Sequence, residues 1–167
     1  AAGAYLDLAR STRDPRVVRR AAEVAFHARQ HDNALEAVRI WLEIDPASQQ
    51  ARQLRATTLL AGGRVAELAA LLAIDVAAAG ERAGDALLQL SRAFTRYPDR
   101  VAIDRLFDIL VKPYPLSPEA QFARAQAAMG VGNAELAGAA IDRALQLRPD
   151  WEPAALLKAE FLPKGEA

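Results

Sequence analysis

The chain has 167 residues, 52% of them hydrophobic, which is enough to bury a substantial core, and its length suggests one domain. Its 21 basic and 21 acidic side chains give a formal net charge of zero, which argues against a bulk electrostatic footprint for nucleic acid or an anionic membrane. It contains no cysteine, so disulfides, thiolate metal sites and cysteine nucleophiles are excluded, and no apolar run approaches the ~20 residues that span a bilayer.

The first helices are predicted from apolar residues that recur at helical spacing. A helix over 3–12 ends before Asp14-Pro15, which combines an N-capping residue with proline at the first position of the next helix. That second helix carries an apolar stripe at i, i+3, i+4, i+7 and i+8, and its partner helix starts at Asp32-Asn33. Sustained alternation of apolar and polar residues is absent, so the sequence predicts no strand.

The same organisation continues along the rest of the sequence. Each further segment is predicted as a helix because it has helical spacing and is bounded by capping residues, glycine or proline. The predicted helices are 47–61, 65–79, 83–97, one that starts at the cap Asp99, one that starts at Ser117-Pro118 and ends at Gly130, 134–147, and one that starts at Asp150 and stops at Pro163, followed by a frayed tail.

Prolines that follow apolar helical runs reveal an internal period. Pro115 and Pro149 lie 34 residues apart, and Pro46 precedes Pro115 by 69 residues, which is two such steps and one residue. A period of ~34 residues is typical of arrays of helix pairs, in which one pair cannot bury its apolar face alone. The period divides the sequence into the second half of a preceding repeat (1–13), four helix pairs (14–46, 47–81, 82–116 and 117–149) and a terminal helix with its tail (150–167), in one solenoid covering 1–167.

The fourth pair carries residues that resemble the tetratricopeptide repeat (TPR) family. The family motif combines small residues, one large residue and a closing proline, and the corresponding residues here are Ala125, Ala137, Ile141, Ala144 and Pro149. The resemblance covers nearly the whole chain. It implies an all-α fold, a right-handed superhelical solenoid of antiparallel helix pairs.

The other pairs depart from the TPR motif at positions that affect packing. Trp41 stands in the first pair where alanine is usual, so we expect a wider helix crossing with a buried indole. The third pair has Ile103 and Leu110 at small-residue positions. The second pair is the most degenerate and lacks the closing proline.

In the TPR family, the first helix of each pair lines a concave groove that holds a partner. The resemblance therefore implies a groove in which apolar side chains stand among amides and charges, as an extended or helical peptide requires. The alternative is that the apolar members, such as Phe26 and Phe122, belong to the core. The candidate groove residues are Arg16, Arg19, Glu23, Phe26, Gln53, Thr57, Leu88, Arg92, Phe122 and Gln126.

Side chains that could bind a metal or catalyse a reaction occur without a complete motif. His27 and His31 could offer two imidazoles to a metal on one face, with Asp32 as a third ligand, or they could be solvated residues at a helix end. Asp104 and Asp108, one helical turn apart, are interpreted as part of a solvated face. Nucleophile, phosphate-loop and dinucleotide motifs are absent from the sequence.

The densest basic cluster lies in the first two predicted helices. It could engage an acidic peptide or phosphate through forked guanidinium contacts, or it could simply solvate a helix face. The cluster comprises Arg10, Arg13, Arg16, Arg19 and Arg20.

These observations favour a non-enzymatic scaffold or adaptor that binds a protein or peptide partner in a concave helical groove, with no cofactor, no metal, no nucleic acid and no membrane insertion by this segment. Two alternatives remain: a structural segment of a larger repeat protein that self-associates through its ends, or a helical enzyme with an unrecognised site. The Ala- and Arg-rich texture also resembles TPR lipoproteins of Gram-negative bacteria. That resemblance implies a location in the bacterial envelope, facing the periplasm and lipid-anchored in the full-length protein, in preference to the cytoplasm.

Overall fold

A computed structural model describes residues 2–161, and within that range all regular secondary structure is helical. The predicted all-α fold class is confirmed. The described residues form ten α-helices and one short 3-10 turn: α1 (Ala2–Thr12), α2 (Pro15–His27), α3 (His31–Ile44), α4 (Gln49–Ala61), α5 (Val65–Ala78), the 3-10 turn (Gly80–Arg82), α6 (Ala83–Phe94), α7 (Arg100–Val111), α8 (Pro118–Gly130), α9 (Ala134–Leu147) and α10 (Glu152–Phe161). The predicted stop at Pro163 and the frayed tail lie outside the described residues.

Side-chain caps fix where several of these helices begin. The carboxylate of Asp14 accepts a hydrogen bond from the backbone N–H of Arg16 at 2.8 Å, and proline occupies the first position of α2. Ser117 caps α8 through the N–H of Ala120 at 3.1 Å. Asn133 caps α9 through an N–H in its first turn, also at 3.1 Å. The capping residues identified in the sequence therefore act as caps in the structure.

Several helix ends differ from the prediction by one to three residues, including the start of α10 at Glu152 instead of Asp150. Helix α4 begins at Gln49 instead of 47, because Ser48 is its N-cap. Helix α3 begins at His31, one residue before Asp32-Asn33. Helix α6 ends at Phe94 instead of 97, because the chain turns before Pro98, a residue that cannot continue a helix.

Three of the turns between helices share one geometry. Arg29, Gly63 and Gly132 have positive φ values of 56°, 71° and 73°. In each turn the N–H of the next residue donates to the carbonyl five residues earlier, at 2.8–3.0 Å, which is the Schellman arrangement. Gly63 lies 34 residues after Arg29, and Gly132 lies 69 residues after Gly63, so these turns follow the period of the prolines. The turn between α6 and α7 is different: it runs through Pro98, and the N–H of Tyr97 donates to the carbonyl of Phe94 at 3.0 Å.

The chain divides into two compact units, Ala1–Leu68 and Ala69–Ala167, with the boundary inside α5. In the first unit, alanines let α1, α2 and α3 approach one another, and larger side chains fill the remaining space. Trp41 is 8% exposed and packs in this core, with Ala51 of α4 in the same cluster, so its predicted burial is confirmed. The core cluster consists of Leu6, Ala9, Val18, Ala21, Ala22, Ala37, Val38, Ile40, Trp41 and Ala51.

The second unit packs unevenly. Helices α8 and α9 pack closely through buried alanines, including Ala125, Ala140 and Ala144. Helices α6 and α7 contact each other sparsely, and α6 packs mainly on α8. Ile103 and Leu110, the large residues at small-residue motif positions, are both buried on α7. Their size is a physical reason for the separation of α6 and α7.

Candidate functional site

Five of the ten candidate groove residues line a single open groove in the first unit. The groove has a volume of about 290 Å³ and lies between α2 and α4, with Trp41 of α3 contributing to its lining. We call it the unit-1 groove, and its lining residues are Arg19, Glu23, Phe26, Trp41, Gln50, Gln53, Leu54 and Thr57.

The unit-1 groove combines an apolar interior with a charged rim. Trp41 is buried and Phe26 is half-buried. On the rim, Arg19 Nε donates to Glu23 Oε1 at 2.9 Å, and Arg20 Nη1 lies 3.7 Å from Glu23 Oε2. Among the lining residues the charges of Arg19 and Glu23 balance, and Arg20, which lies outside the lining, adds a second cation beside the same carboxylate.

Two amide side chains in the unit-1 groove are available for new hydrogen bonds. Gln50 and Gln53 are exposed, and their side-chain amides have no hydrogen-bond partner among residues 2–161. Thr57 differs, because its hydroxyl donates to the backbone carbonyl of Gln53 at 2.9 Å. A free amide can donate to and accept from the backbone of a bound peptide.

The remaining candidate in the first unit lies outside the groove lining. The side chain of Arg16 is 93% exposed, and its Nε lies 3.7 Å from Asp14 Oδ1. It is therefore a solvated residue at the start of α2.

The four candidates in the second unit are not brought together. Gln126 lines a pocket, whereas Leu88 is half-buried, Arg92 is exposed and neither lines that pocket. Phe122 packs against the α8–α9 core, and its ring centroid lies 5.0 Å from that of Trp151. Phe122 is therefore largely a core residue, which was the alternative interpretation of the sequence.

The pocket that contains Gln126 lies between α6, α7, α8 and α10 and has a volume of about 190 Å³. Ser91 Oγ donates to Gln126 Oε1 at 2.8 Å, so two of the polar residues of the wall bind each other. We call it the unit-2 pocket, and its lining residues are Ser91, Phe94, Thr95, Arg100, Ile103, Phe107, Gln126, Ala127, Met129, Gly130 and Leu157.

Sequence reasoning missed the α7 residues of the unit-2 pocket. It assigned the groove to the first helix of each pair, whereas Ile103 and Phe107 lie on the second helix of the third pair. Two signals could have identified the pocket. One is Ile103 at a small-residue position, and the other is Pro98 in a turn where the turns at Arg29, Gly63 and Gly132 have a residue with positive φ.

The two histidines do not share a helix face. His27 is the last residue of α2 and His31 is the first residue of α3, so the one-face metal site suggested by their spacing is wrong. The His31 ring packs against Gly62, and Asp32 binds Arg64 at 3.0 Å. In the part of the chain that the structure describes, no three His, Cys, Asp or Glu side chains form a group that could hold a metal ion.

Most of the basic cluster is engaged in ion pairs. Arg10 Nε lies 3.4 Å from Glu36 Oε1, and Arg13 Nη2 donates to Glu43 Oε2 at 2.8 Å. The hydrogen bond from Arg13 holds the pKa of the Glu43 carboxyl below its ordinary value. This supports the interpretation of the cluster as a solvated helix face.

Asp104 and Asp108 hold a buried cation. Arg124 of α8 is only 8% exposed, and its Nη1 donates to Asp104 Oδ1 at 2.6 Å. Its Nε lies 3.6 Å from Asp108 Oδ1. A buried charge needs such partners, so these carboxylates connect α7 to α8 and are not simply solvated.

Comparisons with known proteins supply no assignment. Among residues 2–161, none of the helices is long and apolar enough to cross a membrane. No model of a known protein family matches the chain, and no curated protein gives a significant match.

Proposed function

We propose that this protein is a non-catalytic scaffold that binds a protein or peptide partner, built as a right-handed superhelical solenoid of TPR-like helix pairs. The repeat interpretation is supported by the recurring turn at Arg29, Gly63 and Gly132 and by its agreement with the period of the prolines. Repeat scaffolds of this kind present extended surfaces to partners.

The observation that carries the proposal is the unit-1 groove. Residues that lie far apart in the sequence, such as Phe26 and Thr57, line one groove as the TPR resemblance implies. Peptide recognition uses apolar contacts for affinity and polar groups for register and orientation. Trp41 and Phe26 supply the apolar contacts, and the amides of Gln50 and Gln53 supply the polar groups.

The rim defines the chemistry of the partner. Arg19 lines the groove and Arg20 lies beside it, and together these two cations exceed the single carboxylate of Glu23, so the groove favours a segment in which acidic and apolar residues alternate. Such binding weakens with added salt, since the rim charges are exposed. The apolar contacts carry most of the affinity because they desolvate on binding.

Affinity capture from a native lysate tests this proposal. The double substitution Arg19→Ala with Phe26→Ala removes one rim cation and one aromatic side chain from the groove. A matched control, Arg16→Ala with Val101→Ala, removes the same charge and an exposed apolar side chain outside both cavities. We expect the groove variant to lose its partners and the control to retain them, with the helical circular-dichroism signal unchanged in both.

The partners should also dissociate more readily when salt is raised from about 50 to about 300 mM, which shortens the screening length. Retention of the same partners at full strength by the groove variant would exclude the unit-1 groove as the binding surface.

A second candidate function is self-association. Tyr5 and Leu8, one turn apart on α1, are 39% and 47% exposed, and exposed apolar neighbours often mark an interaction surface. Sedimentation velocity over a range of concentrations tests this candidate. The substitutions Tyr5→Ser and Leu8→Ser should then reduce the association, and a wild-type protein that is monomeric throughout argues against it.

A further inference from the structure

We infer that the unit-2 pocket binds one large apolar side chain, of leucine or phenylalanine size, from an acidic peptide segment. This inference rests on the proposed function, because it specifies how a peptide partner is anchored. It concerns a site distinct from the unit-1 groove, made of different residues, and can therefore fail independently.

The size of the pocket limits its occupant. Its volume is about 190 Å³, slightly more than the roughly 150 Å³ of an apolar cavity that accepts benzene. Pockets for cofactors and drug-sized ligands are larger, at about 300–1,000 Å³. The available space therefore fits a single side chain.

The walls of the pocket are mostly apolar. Phe94 of α6, Met129 of α8 and Leu157 of α10 surround it, and Ile103 and Phe107 of α7 also line it. Transfer of a large apolar side chain from water into such surroundings is favourable, and it corresponds to at least about a tenfold gain in affinity.

The pocket arises from the ways in which the third helix pair differs from the others. Its turn runs through Pro98 and lacks the Schellman arrangement of the turns at Arg29, Gly63 and Gly132. Helices α6 and α7 contact each other sparsely, and the side chain of Ile103, although buried, forms part of the pocket wall. The cavity is therefore a specific feature of this pair.

The polar residues of the wall are arranged to receive a peptide backbone. Ser91 donates to Gln126 Oε1 and so uses one lone pair of this amide oxygen, while both Nε2 donors of the amide remain. Within the described range, Gln126 Nε2 has no hydrogen-bond acceptor. Gln126 is half-buried, so its amide can reach a carbonyl of a peptide whose side chain enters the pocket.

The charges around the pocket favour acidic flanking residues. Arg100 lines the pocket and donates to the carbonyl of Thr95, and Arg92 lies one turn before Thr95 on the same helix face. Among the residues that the structure describes, no carboxylate lies within 4 Å of the guanidinium groups of Arg92, Arg96 or Arg100. The nearby Asp99 is used as the N-cap of α7. Carboxylates from a partner would therefore complete this surface.

The test uses the blocked peptide acetyl-Asp-Glu-X-Glu-Asp-amide, where X is 4-fluorophenylalanine, and measures binding by fluorine NMR. The matched probe has alanine at X and is used as a competitor. We expect the fluorophenylalanine peptide to bind at least about tenfold more tightly than the alanine peptide, because only its side chain fills the pocket. A peptide with lysine at the four acidic positions should bind more weakly than either.

Two protein variants locate the binding site. Ala127→Leu places a larger side chain in the pocket and should weaken binding of the fluorinated peptide by about tenfold. Its control is Ala139→Leu, an exposed position on α9 outside the pocket. The double substitution Arg92→Gln with Arg100→Gln leaves the apolar walls unchanged, so it tests the charge component even if Ala127→Leu disturbs folding.

Three results would overturn the inference: equal affinities for the fluorophenylalanine and alanine peptides, no binding of either up to about 5 mM, or wild-type affinity in both Ala127→Leu and the double arginine variant. If Arg19→Ala with Phe26→Ala abolishes peptide binding and the pocket variants do not, the peptide occupies the unit-1 groove. In that case the pocket inference fails while the proposed function stands. Loss of captured lysate partners in the groove variant tests the proposed function separately.

Discussion

At the scale of single residues, Gly84 illustrates how closely α6 approaches α8. A Cβ atom added at Gly84 would lie 2.6 Å from Glu119 Oε2 and 2.9 Å from Ser117 Oγ. Alanine normally stabilises a helix more than glycine does. At this position, however, its methyl group would displace the Glu119 carboxylate from its partners. We expect Gly84→Ala to lower the free energy of unfolding by about 1–3 kcal/mol, measured by urea denaturation.

Gly3→Ala is the matched control for this prediction. Gly3 also lies in a helix, and no atom lies within 4 Å of an added Cβ. The substitution Gly3→Ala should leave the free energy of unfolding unchanged or raise it by up to about 1 kcal/mol, since alanine loses less backbone entropy on folding than glycine does. Equal effects of the two substitutions would mean that α6 does not approach α8 this closely.

Glu119 makes the stability of the second unit depend on pH. Burial acts to raise the pKa of its carboxyl, but hydrogen bonds from its own N–H, from Ser117 and from Arg148 outweigh this effect, so the pKa lies below its ordinary value of 4.5. A lowered pKa in the folded state stabilises the fold above pH 4.5, and this contribution is lost as the pH falls through the folded value.

The variant Glu119→Gln tests this pH dependence. It preserves the shape of the side chain but removes its charge, so it should destabilise the protein at neutral pH. The difference from wild type should shrink when urea unfolding is repeated well below pH 4.5, where the wild-type carboxyl is also neutral. A difference that stays constant with pH would show that the charge of Glu119 is not involved.

At the scale of helices, the alanines of α9 determine how closely it packs. Ala137 and Ala144 are buried on this helix, and Ala144 belongs to the cluster formed with α8 and α10. We expect Ala137→Leu or Ala144→Leu to lower the free energy of unfolding by about 1–3 kcal/mol, because the extra methylenes have no space. Thermal and urea denaturation measure the effect. In these measurements Ala139→Leu, at an exposed position on the same helix, should change stability little.

The sequence predicts the helices well because their signals are local. Asp14, Ser117 and Asn133 each cap a helix through an N–H two or three residues away, so a short stretch of sequence is sufficient. The end of α6 was predicted three residues too late, because helical spacing continues past Phe94 until Pro98. Sequence spacing describes periodicity better than it describes the final turn of a helix.

The candidate site was predictable only in part, for a related reason. Arg19, Phe26 and Thr57 line one groove as expected, since their spacing along α2 and α4 determines which helix face they occupy. The unit-2 pocket depends on the separation of α6 and α7, which is set by tertiary packing around Ile103. The role of Phe122 also depends on a distant residue, because its ring packs against Trp151.

At the scale of the whole molecule, the two tryptophans provide one reporter for each unit. Trp41 lies in the core of the first unit, and Trp151 packs in the second with Phe122 and under the guanidinium of Arg148. In a repeat array, stability is approximately a sum of local terms and nearest-neighbour terms. A destabilising substitution should therefore affect the reporter in its own unit more than the other.

The test combines Ala137→Leu with each of the single-tryptophan backgrounds Trp41→Phe and Trp151→Phe, followed by urea denaturation monitored by tryptophan fluorescence. Ala137 belongs to the second unit, so the substitution should lower the midpoint reported by Trp151 more than the midpoint reported by Trp41. Each double variant is compared with its own single-tryptophan parent, which removes the effect of losing the other indole. Equal shifts of the two midpoints would indicate that the chain unfolds as one cooperative block, contrary to what the proposed repeat architecture predicts.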